Sequence, residues 1–210
     1  HGSTYPRGLQ RTWPNLVSME GIRGFEFATF DQATADLVAS KATTLAFTRN
    51  AFDPMDFTPV CFTEYDNFER RTGNGAELAL AVLFLSGVQH YAETPHGMAT
   101  VPDYVREMMK EIPVKWDETM FLTGYPGKYI ALARRSGNRW YVAGVNAEKD
   151  TLSLCLRLPF AEGISGTIIT EGETLRSFSQ DSITPEWAGG SSLEIMPNGG
   201  FVIVFTQDFD

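Results

Sequence analysis

The sequence contains no run of basic residues, few cysteines and no long apolar segment. Its 26 Asp and Glu residues outnumber its 17 Lys and Arg residues, which gives a formal net charge of −9. Because proteins that grip nucleic acid need clustered Lys and Arg to neutralise phosphates, we expect no nucleic-acid partner. The longest apolar run, Leu78 to Gly87, is shorter than the ~20 residues of a membrane span and predicts a buried helix instead.

The two cysteines give little information about function. Cys61 and Cys155 are far apart in the sequence and match neither a metal-binding nor a redox spacing. We expect two unrelated buried thiols. Such sparse cysteine usage leaves the cellular compartment open.

The first half of the chain alternates loops, helices and short apolar runs. Ala76 to Leu85 is apolar on nearly every side, which is typical of a buried helix. The pattern predicts helices at 31–41, 75–86 and 102–111, the last ended by Pro113, and short strands at 43–49 and 88–92. This alternation is typical of βα units, but residues 1–113 are too few for a closed (β/α)8 barrel, which needs at least ~200 residues.

The second half changes to the period of β-strands. Tyr129 to Arg135 and Trp140 to Val145 flank a Gly-Asn turn, which predicts a β-hairpin. The run 152–158 alternates strictly, and short strands are predicted at 166–169, 192–195 and 201–206. The fold class is therefore α/β plus all-β, with a partial (β/α)8 barrel at 1–113 followed by an antiparallel β-sandwich at 114–210.

Two carboxylates lie in the segment with the strongest loop character. The first thirty residues are rich in Gly, Pro, Arg and Trp, and Glu20 and Glu26 stand at their end. From the residues alone, both can be ordinary surface carboxylates, or they can converge on one site. The sequence opens within this loop, so we expect a site that begins before His1.

An ordered set of segments resembles glycoside hydrolase family 97, whose members include α-glucosidases and α-galactosidases. The family has a β-sandwich, a central (β/α)8 barrel and a C-terminal β-sandwich, and this chain is similar to the last third of that layout. The matching segments are Pro6-Arg-Gly-Leu-Gln-Arg-Thr-Trp-Pro-Asn-Leu, Met19-Glu-Gly-Ile-Arg-Gly-Phe-Glu, Phe47-Thr-Arg, Pro54-Met-Asp-Phe-Thr-Pro, Trp116-Asp-Glu-Thr, Gly127-Lys-Tyr-Ile-Ala-Leu-Ala-Arg-Arg, Trp140-Tyr-Val-Ala-Gly and Gly199-Gly-Phe-Val.

The resemblance implies roles for three residues. Glu26 matches the general acid/base of the family, and glycoside hydrolysis needs one carboxyl group that donates a proton to the leaving oxygen. Glu20 matches a calcium ligand, and Glu26 lies at the same ion, so calcium is the expected cofactor. His1 matches a histidine that contacts the sugar.

One departure from the family indicates a branch. Gly2 stands where inverting glucosidases have a Glu base, so the chain resembles the retaining branch, whose nucleophile is an Asp expected before His1. The resemblance implies an α-galactoside or another α-linked oligosaccharide as substrate. An α-glucosidase of the same family stays an alternative. Asp53 stands where the family has Gly, which alters the turn of that loop.

A different class also stays open, namely a non-catalytic carbohydrate-binding or structural fragment. If the chain is part of an enzyme, its partner is the missing N-terminal half of the same enzyme, and the 210 residues alone are expected to be inactive. The resemblance further implies a periplasmic or secreted location.

Several other residues have an ordinary structural interpretation. For Arg49 and Asp56 we expect an ion pair or a turn role, and for His90 a packed position. Trp13, Trp116 and Trp140 are expected to pack rather than to stack on sugars.

Overall fold

The computed structural model describes residues 8–207, which form a helical part followed by a β-rich part. None of the helices in this range is both long enough and apolar enough to cross a membrane. The helices are α1 (Leu9–Thr12), α2 (Gln32–Ala35), α3 (Val38–Leu45), α4 (Asn74–Leu83), α5 (Pro95–Thr100) and α6 (Asp103–Glu111). The strands are β1 (Glu118–Tyr125), β2 (Tyr129–Ser136), β3 (Arg139–Asn146), β4 (Leu152–Leu156), β5 (Gly166–Glu171), β6 (Phe178–Ile183), β7 (Ser191–Ile195) and β8 (Gly200–Thr206).

The strands form two antiparallel sheets. Six of them form one sheet in the order β1-β2-β3-β8-β5-β6, and β4 pairs with β7 in the other. The predicted hairpin is confirmed as β2–β3, in register from Tyr129 opposite Asn146 to Ser136 opposite Arg139. Its turn contains Gly137 at a φ of 58°, a left-handed conformation that glycine adopts without strain.

The large sheet is covered on both faces. On one face, Tyr141, Val145 and Val202 pack with the buried residues of α4. On the other face, Trp140 and Ile203 pack with Leu154 and other apolar residues that include those of β4 and β7, which completes a two-layer β arrangement. The central strands are therefore apolar at nearly every position. Successive side chains of a strand point to opposite faces, and both faces of this sheet are covered.

Helix α4 is fixed at both ends by side chains of the sheet. At its first turn, a carboxylate oxygen of Glu171 accepts a hydrogen bond from the backbone N–H of Ala76 at 2.9 Å. At its last turn, buried Arg134 donates to the carbonyl oxygens of Val82 and Leu83, each at 2.9 Å. The negative charge lies at the positive end of the helix dipole and the positive charge at its negative end, and both placements are stabilising.

The described part of the first half departs from its predicted strands. Residues 8–113 contain no regular β-strand. The strand predicted at 43–49 is wrong, because α3 continues through Leu45, and the strand predicted at 88–92 is wrong as well. The predicted helix at 31–41 is instead split into α2 and α3. A (β/α)8 barrel is therefore not formed by these residues.

Three extended segments nevertheless lie side by side in this half, and we number them in chain order: the first contains Met19, the second Met55 and the third Leu85. Met19 and Met55 form an isolated parallel bridge. The backbone N–H of Met55 donates to the carbonyl oxygen of Leu85 at 3.0 Å, so the segment after α4 joins the other two. The domain division at residues 113 and 114 stays a prediction.

The cysteines and tryptophans are placed partly as expected. Cys61 is buried, and burial raises its pKa to about 12. The prediction for Cys155 is wrong: it is exposed, since it points away from the core in alternating strand β4. Trp140 stacks on Phe160 inside the β-rich part, as expected. Trp13 is 59% exposed and is not packed.

Candidate active site

A cavity opens where the three extended segments meet. Its volume is about 330 Å³, and its lining is mostly polar. Residues from all three segments contribute to it, together with the turn that follows the first segment. The lining residues are Ser18, Met19, Glu20, Glu26, Asp56, Thr58 and His90. Two of them, Glu20 and Glu26, are the carboxylates that the sequence singled out.

Arg49 connects the first and second segments next to this cavity. One of its guanidinium nitrogens donates to the carbonyl oxygens of Met19 and Pro54, both at 3.0 Å, and another donates to that of Asp53 at 3.0 Å. The prediction of a turn role for Arg49 agrees with these bonds. The backbone N–H of Asp56 then donates to the carbonyl oxygen of Met19 at 3.2 Å.

Asn50 and Ser86 attach the third segment. The side-chain amide of Asn50 donates to the carbonyl oxygen of Leu85 at 2.9 Å and accepts from its N–H at 2.7 Å. The hydroxyl of Ser86 lies 3.1 Å from that of Ser18 on the first segment. Side-chain hydrogen bonds therefore connect the three segments beside the cavity, where backbone pairing is limited to a few hydrogen bonds.

Glu26 is held by its backbone while its side chain stays exposed. It lies in a 3₁₀ turn, Phe25–Thr29. The N–H of Phe25 donates to the carbonyl oxygen of Phe57 at 2.7 Å. The N–H of Glu26 donates to the hydroxyl of Thr58 at 3.2 Å. These bonds fix the position of Glu26 against the second segment.

Glycine is required at position 24 by this contact. A Cβ on Gly24 would lie 2.3 Å from the carbonyl oxygen of Phe57, which is closer than any real Cβ contact. The Gly-Phe-Glu sequence therefore lets the turn approach the second segment closely enough to form both hydrogen bonds.

The second segment has unusual backbone angles beside the cavity. Thr58 and Val60 have φ values of 51° and 68°. Left-handed angles are uncommon for β-branched residues, and such strain persists only where the surroundings impose it. Because Thr58 both lines the cavity and binds the N–H of Glu26, the strained segment is part of the frame that positions this carboxylate.

Asp56 and His90 form a hydrogen-bonded pair at the same cavity. Nδ1 of His90 lies 2.5 Å from Oδ2 of Asp56. The expectation for Asp56 is an ion pair or a turn role, and the N–H of Thr58, which donates to Oδ1 of Asp56 at 3.4 Å, agrees with the turn role. The prediction of a packed position for His90 is wrong, because its side chain is 65% exposed.

Glu20 and Glu26 differ in their surroundings. Glu20 is buried, with 7% of its surface exposed, whereas Glu26 is exposed. A solvent-accessible carboxyl group can exchange protons with water and with a ligand in the cavity. His1, the third predicted site residue, and Gly2 lie outside the described residues.

The oxygen atoms that line the cavity are of the type that calcium binds. Calcium prefers carboxylate and other oxygen ligands, usually six to eight of them. Glu20 and Glu26 line one cavity with the hydroxyls of Ser18 and Thr58. Within residues 8–207, however, no three His, Cys, Asp or Glu side chains are grouped closely enough to hold a metal. These residues therefore offer part of a coordination sphere.

Sequence reasoning missed that Asp56 and His90 belong with the two glutamates. The two residues are 34 positions apart, and only the fold brings them together. A signal was present for Asp56, because it follows the second extended segment, where active-site residues of βα folds collect.

Comparison with known proteins shows that the chain is similar to part of several glycoside hydrolases. Residues 115–206 match the family model described as "Glycosyl-hydrolase 97 C-terminal, oligomerisation". A probable retaining α-galactosidase of Streptomyces bingchenggensis is 41% identical over 97% of the chain, and a retaining α-galactosidase of Bacteroides thetaiotaomicron is 29% identical over 97%. The chain spans 30% and 32% of the length of these two relatives.

Solved structures give the same result. A β-arabinopyranosidase is similar over 97% of the chain and 33% of its own length, with 35% identity and a TM-score of 0.91. A glycoside hydrolase family 97 enzyme from a Pseudoalteromonas species is similar over 96% of the chain and 33% of its own length, with 27% identity and a TM-score of 0.81. Residues 115–206 are a glycoside hydrolase family 97 C-terminal domain, and nearly the whole chain is similar to the C-terminal third of enzymes of that family.

Proposed function

We propose that the chain is part of a longer glycoside hydrolase that cleaves α-galactosides with retention of configuration. The observation that carries this proposal is the cavity shared by Glu20 and Glu26, in a chain that is 41% identical to a probable retaining α-galactosidase. Three side-by-side extended segments would then be the last strands of a (β/α)8 barrel that the rest of the protein completes. The expected location stays periplasmic or secreted.

Glu26 is the general acid/base in this proposal. Its exposed carboxyl group would donate a proton to the oxygen of the leaving group and would later take a proton from the attacking water. The nucleophile would be an Asp outside this chain, and His1 would contact the sugar. The frame of Gly24, Phe57 and Thr58 would keep Glu26 at a fixed distance from the scissile bond.

Glu20 and Glu26 would hold calcium together with ligands from elsewhere in the protein or water. A bound calcium ion would supply a fixed positive charge beside the scissile bond.

A second substrate class is favoured by the structural comparison. The similar β-arabinopyranosidase has a TM-score of 0.91. β-L-Arabinopyranosides have the ring configuration of α-D-galactopyranosides and lack only the hydroxymethyl group. A site built for one ring therefore accommodates the other, and the ratio of the two activities reports the space available around that group.

The test uses the longer protein and its Glu26→Gln variant. We expect turnover of aryl α-D-galactopyranosides above that of aryl α-D-glucopyranosides, with a product whose anomeric configuration is retained in NMR spectra. Glu26→Gln should lose far more activity on poor leaving groups than on activated aryl glycosides, because only the former need a proton. An equal loss on both would contradict the acid role. Glu162→Gln, at an exposed position outside the cavity, is the matched control.

Calcium is tested by chelation. Removal of the ion from the wild-type protein should lower activity reversibly, and Glu20→Gln should weaken calcium binding measured by calorimetry. No turnover of any of these glycosides by wild-type protein would favour the alternative, a carbohydrate-binding or structural fragment.

A further inference from the structure

The His90–Asp56 pair is a feature of the cavity to which the proposed chemistry gives no role. Nδ1 of His90 lies 2.5 Å from Oδ2 of Asp56, and both residues line the cavity with Glu26. Their side chains are 65% and 22% exposed, so a largely buried carboxylate holds an accessible ring.

The arrangement leaves one ring nitrogen for a ligand. When Nδ1–H donates to Asp56, Nε2 of the neutral ring is a hydrogen-bond acceptor. No group within residues 8–207 forms a hydrogen bond with Nε2. A sugar presents hydroxyl groups, which donate to such an acceptor.

The Asp56–His90 pair is more constrained than an ordinary pair of surface side chains. Exposed ion pairs between mobile side chains contribute little to stability. Here the backbone of Asp56 is fixed by its hydrogen bond to Met19, and the strained residue Thr58 follows two positions later. A carboxylate held in this way favours one orientation of the His90 ring.

We propose that His90 binds substrate, with Nε2 accepting a hydrogen bond from one hydroxyl group of the sugar, and that Asp56 is the positioning residue that orients the ring. This inference rests on the proposed function. It predicts that His90 contributes binding in both the ground state and the transition state, so its loss should raise KM more than it lowers kcat.

The first experiment compares variants of the longer protein on an aryl α-D-galactopyranoside. His90→Ala should raise KM about three- to tenfold, the range of one hydrogen bond. His90→Gln, whose amide oxygen can accept in place of Nε2, should recover part of the affinity. His96→Ala, a change of an exposed histidine away from the cavity, should leave KM unchanged.

The second experiment finds the hydroxyl group. Wild type and His90→Ala are compared on aryl galactosides that each lack the 2-, 3-, 4- or 6-hydroxyl. At the hydroxyl that His90 binds, the loss from the variant and the loss from the deoxy substrate should not add, because either change removes the same bond. Asp56→Ala should reduce this coupling at the same hydroxyl.

The outcomes separate the inference from the function on which it rests. Additive losses at every hydroxyl, or an unchanged KM in His90→Ala, would overturn the role of His90 while wild-type turnover still supports the hydrolase. Absence of turnover in the wild-type protein would overturn both. A fold defect in His90→Ala is recognised from circular dichroism, and His90→Leu, whose larger side chain also lacks an acceptor, then carries the same cycle.

Discussion

The removal of the Glu171 carboxylate is the sharpest test of how α4 is held on the sheet. This carboxylate accepts from the N–H of Ala76 at 2.9 Å and from that of Gly200 at 2.9 Å. In Glu171→Ala, these two buried donors lose their acceptor, and the first turn of α4 loses the negative charge at its positive end.

The expected cost follows from these contacts. A buried N–H without a partner costs about 1–3 kcal/mol. The charge at the helix terminus contributes about 0.5–1 kcal/mol more. Part of this loss of stability is offset, because the folded state no longer bears the cost of desolvating a buried carboxylate. We therefore expect the free energy of unfolding to fall by about 3 kcal/mol.

Urea unfolding followed by circular dichroism measures this change, and hydrogen exchange locates it. Amides of α4 should lose protection in Glu171→Ala. Glu173→Ala, an exposed neighbour, is the matched control. A change below about 0.5 kcal/mol in Glu171→Ala, the range of surface substitutions, would refute the reasoning.

Stability should also depend on pH through this group. Burial raises the pKa of Glu171 above its ordinary value of 4.5. The folded state therefore binds the proton more tightly than the unfolded state, and stability falls as pH rises from 4.5 through the folded pKa. Glu171→Gln should weaken this slope. Some dependence of stability on pH should remain in this variant, because burial also raises the pKa of Glu77.

Three further predictions concern other contacts. Arg134→Met should lower the free energy of unfolding by about 2–4 kcal/mol in urea titrations, since two carbonyl oxygens at the end of α4 lose their donor. Gly24→Ala should reduce kcat of the longer protein at least ~10-fold in steady-state assays, because the Cβ displaces the turn that holds Glu26. The 210 residues alone should show no turnover of an aryl α-D-galactopyranoside, since the proposed nucleophile lies outside them.

Each of these has an outcome that would contradict it. Arg134→Met with wild-type stability would mean that the carbonyl oxygens find other donors, and Arg135→Met, on a more exposed neighbour, is its control. A wild-type kcat in Gly24→Ala would show that the close contact with Phe57 has no role in positioning Glu26. Gly189→Ala, where the added Cβ meets nothing within 4 Å, is the control for glycine loss. Turnover by the chain alone would disprove the missing nucleophile.

The β-rich half could be predicted because its signals are local. The hairpin of β2 and β3 is specified by a Gly-Asn turn between two apolar runs, and β4 by strict alternation. β1 was missed, since as an edge strand it has mostly exposed or half-buried residues without a clear period. β6 was missed for the same reason.

The first half was harder because tertiary contacts override local preference. The Thr-Thr-Leu-Ala-Phe-Thr run favours a strand, yet its beginning lies in α3. There Ala42 and Thr43 are buried, and the hydroxyl of Thr43 bonds to the carbonyl oxygen of Ala39. The extended segments beside the cavity are paired too briefly to form regular strands.

The candidate site was predictable only in part. Glu20 and Glu26 are close in sequence, and the resemblance of their segment to a known family named them. Asp56 and His90 join them through the parallel bridge of Met19 with Met55 and the bond of Met55 to Leu85. Such long-range pairing has no local signature in one sequence.

Helix α4 also constrains how these proteins can be recombined. It contacts β3, β5 and β8. A Cβ on Gly200 would lie 2.6 Å from the Cα of Ala76, so the close packing of this helix on the sheet depends on glycine at that position. A gene fusion that kept the sheet but exchanged the preceding half would discard this helix and expose an apolar face. The helix and the sheet should therefore be inherited as one module.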